Sequence, residues 1–416
     1  MTRTITIIGG GPSGMMAASA AALADPLAQI ILLEKNKSLG RKMAITGGGR
    51  CNITNVCEVE DLIASVQRNP QFLYSAFYSF TKDDVLAILH GQGVKTKVES
   101  KGKVFPQSNK ATDVIAAFER HLKSAGVEIR TGVNVQKITQ KDGAFVLTCQ
   151  DQDRTQTQIT QKLILATGGL SAPATGSTGD GYHFAKSLGH TLTETFYPSV
   201  VPLKTQEKWV KELQGVSLSD IGLTLKLGKR VLFIEIGDMI FTHFGCSGPV
   251  VLRASAHLTQ LLKERPQLCL DMYPAETAKE TDTKVVNLLN AHANKNMGNV
   301  LTEILPQRMV GTFLKLANIA PETKAHEIKK EQRQALVNKL KELPLTVIGN
   351  MGYAPAVTTA GGVLVKEINP STLESKLVSG LYFAGEVIDV NAYTGGYNLQ
   401  TAYSTGYLAG VSAATT

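Results

Sequence analysis

Residues 4–24 read TITIIGGGPSGMMAASAAALA. A short β-branched and apolar run, Thr4 to Ile8, meets a cluster of glycines, and a run of small apolar residues follows from Met15 to Ala24. The first run has the composition of a buried strand. The last suits a helix that lies close on a sheet. Between them Gly9, Gly11 and Gly14 stand as G-x-G-x-x-G. A strand, a glycine turn and a helix start bring free backbone N–H groups and the positive end of a helix to one point, which suits a pyrophosphate. Glycines also make ordinary tight turns, so the motif alone is weak. Further along, Gln29 to Leu33 reads as a second strand, and it ends in Glu34, 20 residues beyond Gly14. An acid near that spacing accepts hydrogen bonds from a nucleotide ribose. The two features together predict a dinucleotide site without choosing between FAD and NAD.

A chain of 416 residues is too long for one ordinary core and predicts two or three domains. With 43% hydrophobic and 19% charged residues it has the composition of a soluble globular protein. No apolar run reaches the roughly 20 residues that span a bilayer. The first strand starts almost at once, so no signal peptide is expected, and a cytoplasmic location is. Five scattered cysteines, Cys51, Cys57, Cys149, Cys246 and Cys269, fit free thiols in a reducing compartment. No C-x-x-C or C-x-x-x-x-C pair occurs, which disfavours a flavin disulfide reductase, and zinc-ligand spacing is absent, so no metal is expected. The net charge of +8, from 43 basic and 35 acidic residues, invites an anionic partner. The densest basic stretch, Lys324 to Leu343, interleaves Glu327, Glu331 and Glu342 and repeats apolar residues at helical spacing. A solvated amphipathic helix explains it better than nucleic-acid binding does.

Along the chain, residues 36–55 form a glycine-dense loop. Asp61 to Gln92 looks helical, with Leu62, Val66, Phe72, Phe77, Phe80, Val85 and Leu89 as core positions. Thr112 to Ser124 repeats Val114, Ile115, Phe118 and Leu122 on one helical face, and Val127 to Arg130 follows as a strand. Val133 to Ile138 and Ala144 to Cys149 alternate as a hairpin turned by Asp142-Gly143. Lys162 to Ala166 is another apolar strand, ending in ATGG. This rhythm predicts a doubly wound sheet with a small β-meander. After Tyr197 come short strand-like segments, then helix from about Ala275 to Leu343, then a return to strand and glycine. The sheet domain is therefore expected to be built from both chain ends around an insertion of about 145 residues.

The C-terminal strand Leu381 to Ala384 runs into Gly385-Glu386, and TGGYN, Thr394 to Asn398, opens a helix expected to run to about Ala409. That is a second glycine-opened helix mouth. With Glu386 beside it to accept hydrogen bonds from ribityl hydroxyls, it suits a long ligand with an electron-poor ring, so FAD fits better than NAD.

With these segments in view, the sequence resembles the BaiN/RdsA-type (YhiN-like) FAD-dependent oxidoreductases, which include bacterial aminoacetone oxidase. The resemblance covers nearly the whole chain. It rests on IIGGGPSGMMAA, LLEKN, GRKMAITGGGRCNITN, GKVFPQSNKATDVI, LILATGG, TGDGYHFAKSLGH, FTHFGCSGPVVLR and GLYFAGEVIDVNAYTGGYNLQTAYSTG. It implies an α/β fold with a discontinuous Rossmann-like FAD-binding domain of glutathione-reductase-like topology, an inserted antiparallel β domain and a small helical domain. The boundaries are then 1–196 and 344–416 for the FAD domain, 197–272 for the β domain and 273–343 for the helical domain. The resemblance also implies that Gly9, Gly11, Ser13 and Gly14 hold the pyrophosphate and Glu34, with Lys35, the adenosine ribose. The backbone of Val135 touches the adenine. Arg41, Lys42 and the run Gly48, Gly49, Arg50, Cys51 and Asn52 wrap the ribityl and ring portion. Thr167 and Gly168 of ATGG, with Gly385, Glu386, Gly396, Tyr397 and Asn398, complete the flavin end. Arg50 would favour the reduced, anionic flavin.

A bound flavin carries redox chemistry itself, and no acid–base dyad announces itself in the sequence. Arg50, His243 and Tyr393 are the substrate-side candidates. Cys51 is either a thiol activated by Arg50 or a small buried thiol packed near the ring, the second being preferred. His183 and His190 fit a structural helix and its end. Dissociable FAD is expected. The leading expectation is an oxidoreductase of a small metabolite, with an amine or amino-ketone oxidase passing electrons to oxygen set against an NAD(P)H-dependent reductase of an enone-like acceptor. No second strand-led G-x-G-x-x-G marks a nicotinamide domain, and TGSTGDG, Thr175 to Gly181, reads as a loop into a helix. That leans toward the oxidase. A flavin-dependent RNA-modifying enzyme and a non-enzymatic flavin-binding protein are the further alternatives.

Overall fold

The computed structural model describes residues 3–152, 154–258 and 260–416. The chain divides into two compact units, residues 1–198 with 356–416, and residues 199–355.

The first unit is built on a parallel sheet of five strands: β1 (Thr4–Ile8), β2 (Gln29–Glu34), β3 (Glu128–Thr131), β4 (Lys162–Leu165) and β5 (Leu381–Phe383). Their order is β5-β4-β1-β2-β3, with every neighbouring pair parallel. The central strands are apolar on both faces because both faces are covered: Ile5, Ile7, Ile31, Leu32, Leu163 and Ile164 are fully buried. Helix α1 (Pro12–Ala24) starts at Pro12, whose missing N–H costs nothing in a first turn. It is apolar and small on all sides, which only a buried helix can be. A second helix, α2 (Ala111–Ser124), buries Val114, Ala117, Phe118 and Leu122 on one side. The closing helix, α3 (Tyr397–Thr415), packs on α1 so closely that a Cβ on Gly406 or Gly410 would come within 2.3 Å of the carbonyl oxygen of Ser13 or Ala17. The C-terminal strand and helix are thus integral to the N-terminal sheet, as the expected discontinuity requires. The β-meander has three strands, Val133–Lys141, Ala144–Asp151 and Arg154–Thr160, and its first turn uses left-handed Asp142 and Gly143.

The stretch expected as helix from Asp61 to Gln92 is broken. It forms helices Val59–Ala64, Tyr74–Ser79 and Lys82–Gly91, with a short strand Val66–Arg68 between the first two. Pro70, and a left-handed Asn69 before it, cannot continue a helix. The core positions named from its periodicity are nevertheless all buried.

The second unit holds a closed antiparallel barrel of Leu203–Thr205, Ser217–Leu227, Arg230–Thr242, Gly245–Ser247, Gln267–Asp271 and Leu343–Asn350. The last strand comes from the stretch that the sequence reading gives to the FAD domain. It lies there because Leu343, Leu345 and Val347 alternate inward and fill the barrel. Helices Ala278–Ala291, Gln307–Leu316 and Lys330–Lys341 share that same core through Val285, Phe313 and Leu336, so the β and helical segments are one body here. The basic stretch Lys324–Leu343 forms a 3-10 turn, Ala325–Glu327, and becomes α-helix only from Lys330, where it buries Leu336, Val337 and Leu340.

Candidate functional site, a dinucleotide cradle

The turn after β1 is shaped by backbone approach. Gly9, at φ +112°, donates to Leu33 O at 2.8 Å, and a Cβ there would lie 2.4 Å from Ala166 O. A Cβ on Gly14 would lie 1.8 Å from Gly9 O. Gly11 differs. It is the N-cap of α1, has no side-chain cap, and a Cβ on it would meet nothing within 4 Å. The N-terminus of α1 therefore has open space beside Gly11, which leaves room for an anion at the helix end. The end of β5 reaches this turn: a Cβ on Gly385, at φ +74°, would come 2.6 Å from Ser13 Oγ.

Glu34 at the end of β2 is 8% exposed and already serves the turn. Its Oε2 accepts from Gly10 N at 2.7 Å, and its Oε1 from the backbone N and Nδ2 of Asn36. A carboxylate has about four acceptor sites, so one remains for a ribose hydroxyl. Lys35 instead reaches Asp180 and Thr178, and Arg41 donates to Asn36 Oδ1 at 2.6 Å. Both cations are spent on the loops that frame Glu34.

Residues 41–52 curl into a short helix, Arg41–Ile45, and then three left-handed glycines: Gly47, Gly48 and Gly49 at φ +58°, +68° and +86°. Gly48 faces open space, and the nearest atom to a Cβ on Gly49 is 3.9 Å away. The loop presents bare backbone, as a flat ligand requires. Arg50 is held by partners within the protein, and its Nε donates to Gly47 O at 3.4 Å. Its guanidinium lies 3.9 Å from the Phe105 ring centroid and donates through Nη1 to both carboxylate oxygens of Glu99. Cys51 is fully buried, and burial pushes its thiol up to about 12, with a hydrogen bond from Thr46 opposing the shift. The preferred packing role fits this; an activated thiolate does not.

The loop, the end of β4 and the end of β5 meet around Glu386. Its Oε2 takes an ion pair from Lys42 Nζ at 2.8 Å, and its Oε1 accepts from Thr359 N at 2.7 Å. Thr359 Oγ1 accepts in turn from Leu170 N and Ser171 N, beyond the ATGG turn. Nothing in the sequence marks Thr359, Glu99 or Gln400, which accepts from Thr54 Oγ1 at 2.6 Å and so ties α3 to the loop. They are ordinary polar residues made important by topology.

Other expected contacts have structural partners. Asn398 spends its amide on the backbone of Ala392 and Tyr393, clamping the turn before α3. Gly396 is needed where α3 meets Thr54, whose carbonyl a Cβ would strike at 2.4 Å. Tyr393 and Tyr397 are half-buried at this corner, and the Val135 side chain is buried in the meander. His243 is exposed in a turn of the barrel unit, beside Phe244. His183 is exposed on its helix and His190 is buried at its end.

The residues fit a dinucleotide. An uncapped helix N-terminus faces open space at Gly11, bare left-handed backbone faces open space at Gly48, and one acceptor remains on Glu34. Among the described residues, Asn52 Oδ1 and Thr167 Oγ1 are buried without a hydrogen-bond partner. The chain matches the HI0933-like protein Rossmann domain over residues 3–412. It belongs to that family. It thereby stands among the FAD-dependent oxidoreductases, as the resemblance implied. The chain is 35% identical to the 3-dehydro-bile acid delta(4,6)-reductase of Clostridium scindens, over 99% of this chain and 98% of that one. It is 30% identical to the ribosomal RNA dihydrouridine synthase of Escherichia coli, over 96% and 95%. It is 32% identical to that of Haemophilus influenzae, over 98% and 97%. Among solved structures, the 3-ketosteroid-delta4-(5alpha)-dehydrogenase of Rhodococcus jostii shares the fold with a TM-score of 0.54 at 15% identity, over 100% and 97%. Relatives named for ribosomal RNA reopen the nucleic-acid partner that the charge pattern argued against. Among the described residues, no helix is long and apolar enough to cross a membrane.

Proposed function

We propose that the protein is an FAD-dependent reductase of a carbon–carbon double bond conjugated to a carbonyl. One observation carries the reaction class. The relatives are named for two unlike substrates, a bile acid and ribosomal RNA, yet the names share one bond change. A 3-oxo steroid with double bonds at positions 4 and 6 and a uracil ring are both conjugated enones, and each reduction adds hydrogen across C=C. This shifts the weight from the amine oxidase to the enone reductase.

FAD, when bound, supplies the hydride for such an addition. The chain's own part is binding and placement. The N–H groups of Gly11, Ser13 and Gly14 would hold the pyrophosphate, and the remaining acceptor of Glu34 the adenosine ribose. Glu386 and Lys42 would contact the ribityl chain, and backbone at Gly48 and Gly49 would lie along the ring. Arg50 and Lys42 are each paired with a carboxylate, Glu99 and Glu386, so neither would bring an uncompensated positive charge to the ring end.

The test uses purified yellow protein without oxygen. NADH or NADPH is added and the oxidised-flavin absorbance followed, then a steroid 4-en-3-one or unmodified ribosomal RNA is supplied. Bleaching by the nucleotide followed by recovery with either acceptor supports the reading, and the acceptor identifies the substrate class. Bleaching by amines alone, with recovery only on admitting air and with peroxide formed, would restore the oxidase.

A further inference from the structure

The barrel carries a side-chain cluster that this reaction does not use. Strand Gln267–Asp271 alternates: Leu268 and Leu270 are fully buried in the barrel core, while Cys269 points to the opposite face. On one side Thr224 pairs with Cys269 and Lys226 with Gln267; on the other Pro344 pairs with Cys269 and Leu343 with Leu270. Since side chains alternate, Lys226 and Glu342 share the face of Cys269 from opposite sides. They join at 2.6 Å across the strand, and both act on the thiol between them: Lys226 draws its pKa down and Glu342 pushes it up. Although it lies outside the core, Cys269 is only 7% exposed, whereas the Glu342 side chain is 59% exposed. The ion pair spans the strand on the face that carries the sulfur.

We propose that Cys269 and Lys226 are the two ends of an oxidative N–O–S cross-link, with dioxygen as the oxidant. One oxygen atom enters between Sγ and Nζ. The S–H bond and one N–H bond of the neutral amine break, and S–O and O–N bonds form. The second oxygen atom leaves as water with those two hydrogens. Dioxygen takes four electrons, two from sulfur and two from nitrogen. Glu342 accepts the ammonium proton that must leave first and passes it to solvent. Burial raises the thiol above its ordinary value of 9.0, against the opposing pull of Lys226, so the thiol is protonated at neutral pH and the link forms slowly. It would pin the strand Ser217–Leu227 to Gln267–Asp271 covalently.

The full chain is held in air-saturated buffer, or without oxygen in dithiothreitol, then digested with trypsin and weighed by peptide. The expected result in air is one species joining the peptides of Lys226 and Cys269, heavier by one oxygen and lighter by two hydrogens. Cleavage after Lys226 is lost in that species, and dithiothreitol restores both peptides. Lys226→Arg keeps the ion pair and removes the link; Cys269→Ser removes it too. Cys269 oxidised alone with normal cleavage after Lys226, or no change at either residue, overturns the proposal. The wild-type map decides this even if a variant fails to fold.

Discussion

Two glycine turns flank the cradle, and they use glycine for opposite reasons. At Gly9 and Gly14 there is no room: the turn folds back on itself, and a Cβ on Gly14 would sit 1.8 Å from a carbonyl oxygen. At Gly48 there is room but an awkward backbone, φ +68°, facing open space. Gly11 has both an ordinary backbone, φ −78°, and free space. No contact within the protein demands glycine there; the pyrophosphate of the proposed function would. Glycines of the first kind hold the fold together; those of the second kind are the ones the proposed function gives to the binding surface.

Substitutions can break this distinction. Gly14→Ala should cost most, about 3 kcal/mol or more, because the methyl group meets backbone that cannot rotate away. Urea unfolding should show the loss with or without flavin. Gly11→Val should leave the apo-protein within about 1 kcal/mol of wild type, the residual cost being a poorer N-cap, while abolishing the yellow colour. Equal destabilisation of the two apo-proteins would erase the contrast. Gly48→Ala should cost about 1 kcal/mol, from a left-handed strain of about 1–2 kcal/mol partly offset by a stiffer unfolded chain. Flavin titration would show whether its affinity falls beyond that amount.

The legibility of the sequence follows the same line. The Rossmann strands were readable because burial on both faces makes them continuous apolar runs, and the glycines because they follow such a strand. Boundaries set by distant contacts were not. Leu343–Asn350 reads like the start of a returning sheet domain, yet it closes a barrel whose other strands lie more than 70 residues earlier. Pro70 broke a helix that the apolar period alone suggested. At the candidate site, motif position singles out Glu34 and Glu386, and the family resemblance Lys42, but nothing singles out their partners Asn36 and Thr359. Arg50 was legible as a cation and illegible as a neutralised one, since Glu99 lies 49 residues away and no spacing announces the pair.

The buried corner beneath β5 gives the smallest expected effect and sharpens the contrast between site and scaffold. His190 Nε2 lies 2.8 Å from Ser375 Oγ, and its Nδ1 lies 3.3 Å from Glu367 Oε2, though off hydrogen-bond geometry. Serine, histidine and glutamate in line look like a hydrolase triad. They are not one, because Ser375 Oγ already accepts from Leu377 N and Val378 N and is closed to a substrate. The histidine side chain is fully buried. Burial holds it below its ordinary value of 6.5, with Glu367 pulling the other way. The unfolded chain therefore takes up the proton first as pH falls. Stability from this corner is complete above pH 6.5 and is lost below it, through the lower folded value. His190→Gln, which keeps a polar group toward Ser375 but does not titrate, should be less stable than wild type at pH 8, and the gap should narrow toward pH 5. His121 and His257, also held low by burial, titrate alike in both proteins and cancel in the comparison. A gap that widens on acidification would mean that the Glu367 ion pair outweighs burial, and that this corner is stabilised by charge.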